Sequence, residues 1–347
     1  MRLPWTSQPG PEPEPPAPPV VPSLGNGIAV PITDQMTRSL LESLRATSLP
    51  DAGGDFHVDW SGVRTRIAML PWAPQELRNT TSTDLPIPDD GYRSEAVEYA
   101  ALAQALDTAT DTFRIVEVGA GWAPWTVAGI VVARRRGLRP YGIAVEADHR
   151  RSEWALQHAL DNDVRAELIT GTPDEIAAAL AIPPGDTQMR VVRAAGWHSR
   201  TTLQFPDIDE QDMGAAVWTL PGTDVDYRGA HLTHHDVPTV AMQTLLEGST
   251  RTDLLHVDVQ GVEFELLEAA SDVVQQNVRL MAVGTTNRLI EGQMQQYFLA
   301  RGWGLIVDMP CTASFTMTHP TLSGFTVQDG NQLWENPFLR LAGRSGA

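Results

Sequence analysis

Apolar positions along the chain alternate between the spacing of strands and the spacing of helices. Val97, Ala101 and Ala105 recur every four residues after Ser94-Glu95, which predicts an amphipathic helix with an acid in its first turn. Further strands are predicted at 113–118, 141–145, 165–170, 253–259, 278–283 and 303–308, and further helices at 126–136, 149–160, 172–180, 262–270 and 290–300. Repeated strand–helix units predict a doubly wound α/β domain, in which helices cover both faces of a mostly parallel sheet.

Local composition divides the chain into segments. Residues 1–25 contain nine prolines, which predicts an extended, disordered tail that serves as a tether or as a docking peptide for a proline-reading partner. Residues 26–92 are interpreted as an N-terminal extension that caps the main domain, with a hairpin-like alternation around Ser61-Gly62. The main domain is expected at 93–340. Within it, about 183–235 is rich in Pro, Gly and Asp and is interpreted as an insertion, whose strands we do not assign, that shapes the substrate site.

The net charge of the chain bears on which molecules it can bind. The formal net charge is −18, which argues against a nucleic-acid partner, because phosphate backbones are bound by basic surfaces. All 25 basic residues counted as Lys and Arg are Arg, so no mechanism that depends on a lysine is available.

The single cysteine, Cys311, excludes an intramolecular disulfide and a Cys-rich metal site, as expected in a reducing cytoplasm. No apolar run approaches the ~20 residues that a membrane helix needs, and the N-terminus lacks the apolar core of a signal peptide. We therefore expect a soluble cytoplasmic protein.

A glycine-rich turn follows the first strand of the main domain. Gly119, Ala120 and Gly121 lie where a ligand approaches the backbone of a doubly wound sheet, and the next helix offers amide donors to an anionic group. Glu117, two residues earlier, can accept hydrogen bonds from the ammonium of a methionine-like ligand. The third glycine of a dinucleotide fingerprint is absent, since Ala123 and Pro124 follow. A dinucleotide site and a plain tight turn remain the alternatives.

A second acid follows the next strand. Glu146 stands 27 residues after Gly119, where a carboxylate can bind both hydroxyls of a ribose. Together with the glycine turn, this acid predicts a nucleoside-binding pocket.

The strand predicted at 253–259 carries the candidates for the reacting centre. His256 and Asp258 point to the same side because side chains alternate along a strand, and Asp258 lies nearer the carboxyl end where substrates bind. The structural alternative for Asp258 is to cap the following helix. Glu263 either faces the substrate or complements the N-terminus of that helix.

The histidine cluster His231, His234 and His235 is a candidate metal site, because two imidazoles at helical spacing can share an ion. Pro238 and the turn-like surroundings favour a solvated loop instead. No metal site is predicted, and a divalent ion such as Mg²⁺ is left open as a cofactor without any ligand set to support it.

Several of these motifs resemble the successive motifs of FkbM-type methyltransferases, over roughly residues 55–340. The most specific is the run from Asp258 to Glu263, Asp-Val-Gln-Gly-Val-Glu, which is similar to the family signature Asp-x-Glu/Gln-Gly-x-Glu. The other matching segments are Glu117-Val118-Gly119-Ala120-Gly121-Trp122, Val145-Glu146-Ala147-Asp148, Val283-Gly284-Thr285, Ile290-Glu291-Gly292, Gln328-Asp329-Gly330 and Trp334-Glu335-Asn336-Pro337.

The resemblance implies a class I methyltransferase fold and O-methylation of a hydroxyl on a sugar, glycan or secondary metabolite, with S-adenosylmethionine as donor. The chain departs from relatives at two places: they often have Lys where His256 stands, and close variants have Thr-His-Ser where this chain has Thr285-Thr286-Asn287. Two alternatives remain, a nicotinamide-dependent oxidoreductase and a non-catalytic nucleoside-binding interaction protein.

Overall fold

A computed structural model describes residues 32–342 except 213, 218–230, 249–250, 316 and 318–320. The proline-rich tail predicted for residues 1–25 lies outside the described residues. The described helices are α1 (Asp34–Ser43), α2 (Ala96–Asp107), α3 (Pro124–Arg135), α4 (His149–Asp161), α5 (Pro173–Ala181), α6 (Met242–Leu246), α7 (Glu263–Ala269), α8 (Ser271–Asn277), α9 (Arg288–Ala300), α10 (Leu322–Phe325) and α11 (Pro337–Ala342).

The described strands, in chain order, are β1 (Phe56–Val58), β2 (Arg64–Arg66), β3 (Thr80–Thr81), β4 (Thr112–Val118), β5 (Arg139–Glu146), β6 (Ala166–Ile169), β7 (Met189–Arg193), β8 (Ala195–Trp197), β9 (Thr202–Pro206), β10 (His234–Ala241), β11 (Thr252–Val257), β12 (Val278–Thr285), β13 (Gly304–Met309), β14 (Thr312–Ala313), β15 (Thr326–Gln328) and β16 (Gly330–Glu335).

Eight of these strands form the central sheet, in the order β13-β16-β12-β11-β4-β5-β7-β6. Neighbours from β6 to β12 are parallel, and β16 runs antiparallel between β12 and β13. Consecutive residues of a strand contribute to different apolar clusters: Ile115 packs into one and Val116 into the other. Helices α2, α3 and α4 contribute to the first cluster and α5 to α9 to the second. This two-sided core confirms the predicted doubly wound α/β fold.

Part of the segment read as an insertion belongs to this sheet. Strand β7 lies between β5 and β6 and is almost entirely buried. A separate three-stranded sheet, in the order β8-β10-β9, follows it. The sequence pattern does not predict these strands, because β7, β8 and β9 have five residues or fewer and the segment is rich in residues typical of loops.

The N-terminal extension contains the expected hairpin, with Phe56 opposite Arg66. It is fastened to the domain through α4: the Arg66 guanidinium lies 2.7 Å from the Asp161 carboxylate, and the Asn162 amide bonds both backbone groups of Arg64. The hairpin therefore packs onto the side of the domain on which α4 lies. Among the described residues, every helix is too short or too polar to cross a membrane.

Candidate active site

A cavity of about 400 Å³ opens at the carboxyl ends of β4, β5 and β11. It brings together the glycine turn, Glu117, Glu146, His256 and Asp258, all of which were singled out in the sequence. This position follows from the topology, since parallel strands present their carboxyl ends at one edge of a sheet.

The glycine turn is shaped by close approach of two loops. Gly119 has φ +78°, and its amide and that of Ala120 both donate to the Val145 carbonyl, at 3.0 and 2.9 Å. A Cβ atom at Gly119 would stand 1.7 Å from the Asp258 carbonyl oxygen. Any side chain here would force apart the ends of β4 and β11, so glycine is a steric requirement.

Glu117 closes the N-terminus of α3. Its carboxylate accepts from the Thr126 amide at 2.7 Å and the Thr126 hydroxyl at 2.6 Å, and it is 1% exposed. Burial raises the pKa of this carboxyl, against the effect of His256 and the hydrogen bonds. The observed bonds engage this carboxylate in capping the helix. Its expected binding of a ligand ammonium stays a prediction.

Glu146 ends β5 with its carboxylate in the cavity wall. One oxygen accepts from the Gly121 amide at 2.7 Å and the other from the Asp148 amide at 2.8 Å. Burial raises its pKa to about 7, although both amides oppose this shift. The remaining lone pairs of the two oxygens are what a ribose diol would use.

Asp258 begins a short polar network across the cavity. The Gln260 amide nitrogen donates to Asp258 at 2.7 Å and to Asp329 at 3.2 Å. Gln260 has φ +59°, a region that non-glycine residues rarely enter and that recurs at functional sites. Burial raises the pKa of Asp329 to about 6, and the nearby Asp258 charge adds to the shift. Sequence reasoning gave Asp329 no role, although its Gln-Asp-Gly turn was among the resembling segments.

His256 is paired with a residue that the sequence did not suggest. Its Nε2 lies 2.8 Å from Oε1 of Glu98, which stands in the first turn of α2. Burial opposes charge on the imidazole, but the Glu98 hydrogen bond and the nearby Glu117 and Asp258 carboxylates outweigh it and raise the pKa of His256. Its Nδ1 is buried and has no hydrogen-bond partner among the described residues.

Glu263 lies outside the lining of this cavity and is fully buried. Its carboxylate accepts from the Gly261 amide and from the Thr286 hydroxyl, each at 2.9 Å, and burial raises its pKa to about 7. These contacts fit the structural alternative named for Glu263, since they tie the start of α7 to the end of β12.

The histidine cluster takes a geometry unlike that of a helix. His234 and His235 are adjacent residues of β10, so their side chains leave opposite faces. In the part of the chain that the structure describes, no group of three or more His, Cys, Asp or Glu side chains is placed to hold a metal ion.

Residues 131–309 match the methyltransferase FkbM domain, which is more than half of the chain. The protein belongs to the FkbM methyltransferase family. A protein of Jannaschia sp. (strain CCS1), provisionally named a methyltransferase, is 26% identical over 281 residues, covering 80% of this chain and 91% of its own.

Solved structures with which the chain aligns include three of low similarity. A protein of the NADB-Rossmann superfamily from Streptococcus agalactiae is 10% identical over 68% of this chain and 67% of its own, with a TM-score of 0.33. Methyltransferase FkbM from Methylobacillus flagellatus KT is 10% identical over 64% of this chain and 44% of its own, with a TM-score of 0.32. The N-terminal domain of human METTL16 in complex with SAH is 12% identical over 70% of this chain and 69% of its own, with a TM-score of 0.33.

Proposed function

We propose that this family member is an S-adenosylmethionine-dependent O-methyltransferase whose acceptor is a small hydroxyl-bearing molecule, a sugar, glycan or secondary metabolite. The observation that supports it most is one cavity in which a glycine turn and a ribose-type carboxylate, Glu146, meet the Asp258–Gln260–Asp329 network. A volume of about 400 Å³ is within the ~300–1,000 Å³ of small-ligand sites.

The residues present suit the donor. Gly119 lets the ends of β4 and β11 approach each other, because a Cβ there would stand 1.7 Å from the Asp258 carbonyl oxygen, and the Glu146 oxygens keep lone pairs for the ribose hydroxyls. When bound, S-adenosylmethionine supplies an electrophilic methyl group. The task of the chain is then to hold the acceptor oxygen in line with that group and to remove its proton.

Asp258 is our candidate for the proton acceptor. It lies at the carboxyl end of β11, lines the cavity and is held by Gln260, while its backbone amide donates to the Val118 carbonyl at 2.9 Å. Burial raises the pKa of Asp258, which makes it a stronger base than an exposed aspartate. His256, whose pKa is raised by its hydrogen bond to Glu98, is proposed to offset the negative charge of the carboxylates around it.

A small acceptor is proposed rather than nucleic acid because the cavity wall is acidic. Glu95, Asp258 and Asp329 all line it, and a phosphate brought close to them would be repelled.

Titration calorimetry with S-adenosylhomocysteine and, separately, with NAD tests the donor. We expect the first to bind and the second not to, and the reverse result would make the protein an oxidoreductase candidate. Release of S-adenosylhomocysteine across a panel of polyols, glycans and short RNAs then identifies the acceptor.

Asp258→Asn tests the proton acceptor. The variant should bind S-adenosylhomocysteine normally while kcat falls by about 10²–10⁴-fold, the usual contribution of a positioned base. Asp186→Asn, at an exposed position before the N-terminus of β7 and outside the cavity lining, is the matched control and should leave kcat unchanged. Near-normal kcat in Asp258→Asn with a lowered melting temperature would leave Asp258 with a structural role through its bond to Gln260, since no Asp258 bond to the start of α7 is seen among the described residues.

A further inference from the structure

Among the described residues that line the cavity, acidic side chains outnumber basic ones. Arg93, Arg151 and His256 are the basic side chains among its described lining residues, and each is already engaged. The Arg93 guanidinium bonds the Asp59 carboxylate at 2.9 Å and the Thr65 hydroxyl at 3.0 Å, and its side chain is fully buried. Arg151 donates to the Asp212 carbonyl, and His256 pairs with Glu98. Among the described residues, none of these three basic groups forms a salt bridge with the lining acids Glu95, Asp258 and Asp329, although His256 lies close enough to Asp258 to lower its pKa.

The described part of the chain offers few hydrogen-bond donors to the same three acids. Asp258 and Asp329 share the single amide nitrogen of Gln260, and Glu95 accepts from the Ser94 hydroxyl at 3.1 Å. Each carboxylate can accept about four hydrogen bonds. The lone pairs in this wall therefore outnumber the donors that surround them.

His256 gives a second, independent indication of a ligand at this part of the cavity. It lines the cavity and is 5% exposed, yet its Nδ1 has no partner among the described residues. A buried polar atom of this kind costs free energy unless a bound group meets it. With Nε2 bonded to Glu98, Nδ1 is the ring atom whose hydrogen bond is unmet within the described residues.

The donor accounts for only part of the imbalance. A sulfonium brings one positive charge, and Asp258 is already assigned to the acceptor hydroxyl. Glu95 and Asp329 are then the lining acids still without a counter-charge. A neutral polyol would bury both acids without a counter-charge, and an anionic acceptor would be repelled. An ammonium group supplies one positive charge and three donors, which is what these two carboxylates lack.

We propose that the acceptor carries a protonated amino group near the hydroxyl that is methylated, as in an amino sugar or aminocyclitol, and that Glu95 and Asp329 bind this ammonium. The proposal rests on the proposed methyltransferase function and names its substrate class.

The test uses the full chain saturated with sinefungin, a donor analogue whose amine stands in for the sulfonium and so fills that charge. Calorimetric titration follows with three probes: neamine, fully N-acetylated neamine and sucrose. Neamine should bind at least about tenfold more tightly than the other two, the size of effect that one charge-assisted hydrogen bond gives. Its binding should also weaken as salt is raised.

Two variants test whether Asp329 and Glu95 bind the ammonium group. Asp329→Asn and Glu95→Gln should each lower neamine affinity by about tenfold, whereas the exposed-loop control Asp186→Asn should not. Sinefungin affinity should stay within about twofold of wild type in all three, which also shows that the variants are folded.

Equal or tighter binding of acetylated neamine or sucrose would overturn the proposal, as would absence of binding by all three probes or an unchanged amine preference in both variants. Failure of sinefungin itself to bind is a different result, because it removes the methyl-donor site and the proposed function together.

Discussion

Replacing Gly119 by Ala should separate the two loops that build the cavity floor. The new Cβ would lie 1.7 Å from the Asp258 carbonyl oxygen, whereas such atoms normally stay about 3.3 Å apart, so the loops must part by roughly 1.6 Å. The alanine also occupies φ +78°, which costs about 1–2 kcal/mol. The bond from the Asp258 amide to the Val118 carbonyl lies at this junction, and its loss adds about 0.5–1.5 kcal/mol.

Gly137→Ala is the matched control, because Gly137 has the same φ of +78° and no atom within 4 Å of its would-be Cβ. Urea unfolding should show a loss of about 1.5–3.5 kcal/mol for Gly119→Ala and about 1–2 kcal/mol for Gly137→Ala. Since a misplacement of about 1 Å can cost 10²-fold in rate, turnover should collapse in the first variant only. If Gly119→Ala matched Gly137→Ala in stability and bound S-adenosylhomocysteine within threefold of wild type, the steric reasoning would be refuted.

Two other acids give further predictions. Glu146→Gln places an amide donor against the Gly121 or Asp148 amide. The affinity for S-adenosylhomocysteine, measured by calorimetry, should therefore fall at least tenfold, for a loss of about 1.5–3 kcal/mol. Unchanged affinity would show that Glu146 does not bind the donor. Burial raises the pKa of Glu263 to about 7 from the ordinary 4.5. Between these two pH values the folded protein holds a proton that the unfolded chain releases. The free energy of unfolding should therefore fall as pH rises from about 4.5 to 7. Glu263→Gln cannot ionise and should flatten this decline in melts at pH 5 and 8; an unchanged slope would contradict the assignment.

The local pattern of apolar and polar residues was enough to predict these helices and strands and the parts of the site that lie within one turn. The strands at 113–118 and 278–283 and the glycine turn are set by neighbours along the chain, and the structure places them at or within two residues of the predicted ends. The same holds for the α9 helix, predicted at 290–300 and observed at Arg288–Ala300.

Contacts that depend on the order of strands could not be predicted in this way. Glu98 meets His256 across 158 residues of sequence, and nothing in the local periodicity of α2 distinguishes it from a solvated acid. Asp329 reaches Gln260 only because β16 enters the sheet beside β12, and the sequence assigned no strand there. Spacing determines which kind of element forms, whereas the identity of its neighbours is decided by the topology of the whole sheet.

The position of β16 also has a consequence for biosynthesis. This strand is synthesised after β12 and β13 but pairs between them. Until residue 335 has left the ribosome, β12 presents an open edge that carries the apolar side chains of Leu280, Met281 and Val283, and an open apolar edge is a template for aggregation. Asp329 arrives with the same strand. A nascent chain that stalls before residue 329 would therefore be prone to aggregation and would lack part of the cavity wall.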